Sequence, residues 1–105
     1  MYVHHMLDAI ETIANYTRGV TQAKFYKTKL IQDGVIRNLL ILGEAAKRVP
    51  KDIRSKHPGI DWRNIAGMRD VLVHDYLGVD LEVLWEVIEN HLPELRQQLE
   101  KILDI

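Results

Sequence analysis

"KTKLIQDGVIRNLLILGEAAKRV", residues 27 to 49, decides the fold. Ile31, Val35, Leu39, Leu42 and Ala46 recur at three- and four-residue steps, with Ile36 and Gly43 beside them. That spacing puts one apolar stripe on an α-helix and cannot be met by a strand. The spacing predicts a helix from about Lys27 to Val49. Gly43, Ala45 and Ala46 would let a second helix approach closely. Gly34 costs a helix interior about 1 kcal/mol against alanine, so the prediction leans on the stripe.

The same period runs outward in both directions. Upstream, Val3, Met6, Leu7, Ile10, Ile13 and Ala14 form a stripe, and Gly19 is a stop. Downstream, Pro50 ends the long helix or opens a short basic turn, KDIRSKH. His57-Pro58-Gly59 marks a loop. Asp61 can cap a third helix that starts at Trp62, carries Ile65, Met68, Val71 and Leu72, and ends between Asp75 and a left-handed Gly78. Asp80 caps the next helix, striped by Leu81, Leu84, Trp85, Ile88 and Leu92. Pro93 kinks or restarts it, and Leu95, Leu99, Ile102 and Leu103 continue it. No strand alternation or repeat appears. The expectation is an all-α, four- to five-helix up-down bundle filling one domain, residues 1–105.

Composition narrows the function. The chain has 105 residues, 47% of them hydrophobic, and no cysteine. Disulfides, zinc knuckles and thiol nucleophiles are excluded. No apolar run reaches the roughly 18 residues of a membrane span. The opening MYVHHMLDAIE lacks the pattern of a signal peptide, so a cytoplasmic protein without membrane partners is expected. The net charge of −1 argues against a globally basic nucleic-acid binder. Its distribution is uneven. Lys47, Arg48, Lys51, Arg54, Lys56, Arg63 and Arg69 outnumber Asp52 and Asp61 in the middle. Asp80, Glu82, Glu86, Glu89, Glu94, Glu100 and Asp104 outnumber Arg96 and Lys101 at the end. The basic part suits an anionic ligand; a merely segregated, solvated surface is the other reading.

Within that basic part, "GMRDVLVHDYLG", residues 67 to 78, gathers Arg69, Asp70, His74 and Tyr76 among apolar residues. Asp70 and His74, four apart, share a helix face. Arg69 and His74, five apart, lie about 140° around an ideal helix. They converge only if the helix loosens near His74 or if two copies of the chain each bring one set. A helix C-terminus and Asp70 would both raise the His74 pKa from its unperturbed ~6.5 towards neutrality, a range suited to acid–base work. Arg69 can fork onto phosphate oxygens. The Tyr76 phenol could donate to a phosphate or be modified. Attack of an RNA 2′-hydroxyl on its own phosphodiester needs just such a proton carrier and cation, and no metal. The residues alone also allow a solvated Asp70–His74 pair beside a surface Arg69.

DAIETI (8–13), NLLILGEAAKRVP (38–50) and PGIDWRNIAGMRDVLVHDYLGVDLEVLWEVIENHLPELRQQL (58–99) together resemble HepT-like proteins of the HEPN superfamily. These are the toxin halves of MntA/HepT-type toxin–antitoxin pairs. The resemblance covers nearly the whole chain and includes the R-x4-H-x-Y motif as Arg69, His74 and Tyr76. Asp70 stands where the family often has Asn. The resemblance implies a homodimer with Arg69 and His74 of both copies lining a cleft. It implies a metal-independent endoribonuclease, without cofactor, that acts on tRNA or mRNA. Tyr76 matches the position to which a partner nucleotidyltransferase antitoxin adds AMP, in a type VII-like pair. A non-catalytic helical dimer that binds a nucleotide or such a partner is the alternative.

Other residues carry weaker signals. Arg63 and Lys51 could add RNA phosphate contacts beside Arg69, although a solvated reading is simpler. Glu44 could orient an arginine such as Arg69, or lie exposed. His4 and His5, with Asp8, lack a third metal ligand and read as surface. Trp62 and Trp85 read as core or dimer contacts rather than base-stacking platforms.

Overall fold

The structure, a computed structural model, describes residues 1–74 and 78–104, with the helix backbone alone at positions 69, 71, 73 and 74. The helices are α1 (Tyr2–Thr17), α2 (Gln22–Lys27), α3 (Lys29–Arg48), α4 (Lys51–Lys56), α5 (Trp62–His74), α6 (Leu81–Glu86) and α7 (Leu92–Ile102). A π-helical turn, Val87–His91, joins α6 to α7. Among the described residues there is no strand.

The 27–49 stripe forms the centre. α3 packs most extensively against α1 and then α5, with α2 also against it. Val35, Leu39, Leu42 and Ala46 are buried, as their spacing requires, and so are Gly43 and Ala45. Ile31 is partly buried against the core. Val3, Met6, Ile10 and Ile13 meet them from α1, and Leu92, Leu95 and Leu99 complete the core from α7. Full burial of one such side chain stabilises by about 1.5–3 kcal/mol. Asn38 is buried on α3, and its amide donates to the Gly34 carbonyl at 2.8 Å, so its desolvation is offset.

Expected punctuation is mostly in place. Gly19 ends the first helical region with φ +72°. Asp61 accepts from the Asn64 backbone N–H at 3.2 Å at the start of α5. Asp80 accepts from the backbone N–H groups of Glu82 and Val83 at the start of α6. Pro50 precedes α4. Gly78 departs from expectation. Its backbone is 3₁₀-helical and not left-handed. The approach to Asp80 therefore stays right-handed and needs no glycine-specific geometry.

Pro93 acts through the π turn. A proline lacks an N–H and its ring clashes with the carbonyl four residues back. The chain widens just before it, with the Leu92 N–H reaching the Val87 carbonyl, and α7 then starts afresh with Pro93 in its first turn.

α2 was not apparent from the stripe analysis. Thr21 caps it, accepting from the Lys24 N–H at 3.1 Å. Phe25 on α2 is fully buried, with its ring 5.4 Å from that of Trp85. The Gln32 amide donates to the Phe25 and Tyr26 carbonyls and so closes the open end of α2.

Candidate functional site

The motif helix α5 is positioned by its first turn. Trp62 is buried, and its indole N–H donates to the His57 carbonyl at 3.1 Å. Leu72, near the other end, is buried as well. Trp62 is thus a core anchor, as is Trp85 through Phe25, which meets the expectation for both.

α5 is α-helical through His74. Positions 69 and 74 therefore stay about 140° apart around its axis. Loosening near His74 is not how they would converge. By register, position 74 shares a face with Arg63 and Asp70, both exposed. Position 69 shares a face with Trp62, Ile65 and Leu72, which pack into the protein. Tyr76, the expected site of AMP addition, lies outside the described residues.

Asp70 pairs with Lys47 of α3 at 3.7 Å, with both side chains roughly half exposed. Sequence reasoning placed Asp70 beside His74 and did not find Lys47, because the contact joins two helices distant in the chain. Glu44 pairs with Arg48 at 3.5 Å. The Tyr2 hydroxyl and then the Glu44 carboxylate hold the Arg48 guanidinium above its ordinary value, so Arg48 is a permanent cation. Lys51 is exposed on α4, and Arg63 is exposed in the first turn of α5. His4 and His5 are exposed on α1. Beside the end of α5, Met68, Leu72, Val79, Val83, Leu84 and Val87 line an apolar groove of about 320 Å³. Val83 is 56% exposed there. No described helix is long and apolar enough to cross a membrane.

The sequence is similar to those of known proteins. Residues 6–102 match the family "Ribonuclease HepT-like". A "Probable ribonuclease HepT" of Thermococcus cleftensis is 43% identical over 101 residues, covering 96% of this chain and 92% of that one. A "Putative RNase" of Caldanaerobacter subterraneus is 39% identical over 102 residues, covering 97% of this chain and 91% of that one. A Methanocaldococcus jannaschii protein, "Gamma-glutamylcyclotransferase and putative RNase", is 41% identical over 104 residues. This chain spans 47% of that relative's length. No solved structure matches. Fold and family together define the class, an all-helical ribonuclease. The chain belongs to the ribonuclease HepT-like family.

Proposed function

We propose that the chain is a metal-independent endoribonuclease toxin whose site is completed by a second copy of itself. One observation carries this reading: the family match spans the helix that holds Arg69 and His74. The register of α5 supports the second copy, since one continuous helix sets positions 69 and 74 on different sides. The apolar groove beside α5, with Val83 exposed, is the kind of surface a partner covers.

In this mechanism His74 of one copy accepts the proton of an RNA 2′-hydroxyl. The 2′-oxygen forms a bond to phosphorus as the bond to the 5′-oxygen breaks. The partner's His74, protonated, gives its proton to that leaving oxygen. The products are a 2′,3′-cyclic phosphate and a free 5′-hydroxyl. Arg69 stabilises the charge that builds on the pentavalent phosphorus. Asp70 orients His74 from the same face, and Lys51 and Arg63 hold flanking phosphates. tRNA or mRNA in the cytoplasm is the substrate. A nucleotidyltransferase antitoxin adds AMP to Tyr76. The bulky anion fills the cleft and repels substrate phosphate, which makes the modification an off-switch.

The test is incubation with total RNA in the presence of chelator. Wild type is expected to leave 2′,3′-cyclic ends, and His74→Ala to lose activity by at least the 10²–10⁴-fold typical of a lost acid–base group. Equal intact RNA in both removes the nuclease reading. Saturable nucleotide or partner binding that survives Arg69→Ala plus His74→Ala, without cleavage, would point to the non-catalytic dimer.

A further inference from the structure

Two of the described ion pairs join helices far apart in the chain. Arg96 of α7 meets Glu11 of α1 at 2.7 Å. Lys47 of α3 meets Asp70 of α5 at 3.7 Å. The others, Lys29–Asp33, Arg48–Glu44, His91–Glu86 and Arg96–Glu100, each lie within one helical run. Helix geometry alone brings such near neighbours together, whereas a pair between helices depends on how their faces pack. The one that reaches α5 lands inside the motif, on the neighbour of Arg69 and one turn before His74.

Packing fixes both ends of that pair. Ala46 and Val49, on either side of Lys47, are 1% exposed, and Leu72, two residues after Asp70, is buried. The pair itself adds little to stability. Both side chains are roughly half exposed, and 3.7 Å is longer than a charge-assisted hydrogen bond. What it changes is the charge that α5 presents. A phosphodiester is an anion, and its pentavalent transition state carries more charge still. A carboxylate on the face of position 74 repels both and works against Arg69. An ammonium beside the carboxylate offsets that charge and leaves its oxygens able to accept hydrogen bonds.

We propose that Lys47 is a positioning residue of the ribonuclease site, which holds the Asp70 carboxylate and offsets its charge so that Asp70 orients His74 without repelling the scissile phosphate. This rests on the ribonuclease reading and deepens it. Lys47 acts through Asp70, and the long central helix thereby takes part in a site whose motif lies on α5. A Lys47 that gripped RNA phosphate directly would have to leave Asp70 to do so, and its effect would not depend on the residue at position 70.

The experiment measures initial rates of 2′,3′-cyclic end formation from total RNA in chelator, for wild type, K47M, K47R, D70N and K47M/D70N. K47M should lower kcat/KM about tenfold, within the range of coupling between residues of one network. Repulsion grows with the charge on phosphorus, so kcat should fall as well as KM rise. K47R keeps a cation and should stay near wild type. D70N removes the charge but keeps an oxygen acceptor in nearly the same shape. K47M/D70N should therefore match D70N within the roughly twofold scatter of independent changes. If K47M costs as much in the D70N background as in wild type, Lys47 acts on RNA itself or on the fold, and the inference falls. It falls equally if K47M cleaves as wild type does. A loss caused by unfolding would not be rescued by D70N, and so would also count against it. If wild type leaves RNA intact, the ribonuclease reading falls and takes this inference with it. If wild type cleaves and D70N does not rescue K47M, the inference falls alone.

Discussion

Gly34 and Tyr16 show how single residues carry the fold. A Cβ at position 34 would sit 2.7 Å from Cε2 and 2.8 Å from Cδ2 of Tyr16, whose ring lies across α3 at that point. Tyr16 is about half exposed, so its ring can swing towards water. Gly34→Ala therefore combines a helix gain of about 1 kcal/mol with a lost ring contact, and should be close to neutral. With Tyr16→Ala already present, the same change should stabilise by about 1 kcal/mol. Urea unfolding of the two single variants and the double variant measures the difference, and a coupling near zero would mean that the ring does not use the gap. In the sequence Gly34 is visible only as a cost, because Tyr16 is eighteen positions away on another helix.

At the scale of elements, short polar signals proved as informative as the stripes. Asp61 and Asp80 each stand one residue before a helix and accept its first free N–H groups. Asp80→Ala should cost about 1 kcal/mol in urea unfolding, and Asp80→Asn much less, since asparagine caps about as well. Equal losses for both would assign the effect to charge near the helix start rather than to the cap. The stripes of α1, α3 and the continuous run from α6 through the π turn into α7 were legible because their buried faces repeat over several turns. α2 was not, because six residues carry too few repeats to define a period. Its Thr21 cap was the available signal. Gly78 was misread because glycine permits a left-handed backbone without requiring one.

For the whole molecule, the decisive matter is how many copies build the site. Light scattering should give twice the mass of one chain. A sharper test co-refolds wild type with an equal amount of His74→Ala. If each cleft needs both imidazoles, only wild-type pairs cleave, and activity should fall to about a quarter of the all-wild-type value under random pairing. A fall to about half would mean that each copy acts alone. Arg69 and His74 are proposed from their pattern, and because α5 is helical through His74, unwinding before that residue is not the way to bring them together.

The sequence by itself determined the helical class, the main helix starts and the motif. Periodicity and capping are local, and a short window contains all the residues they need. Only the tertiary structure decided that Lys47 meets Asp70 and that Phe25 lies against Trp85. Those outcomes depend on which helix faces meet in space, and that is set by packing the core as one unit.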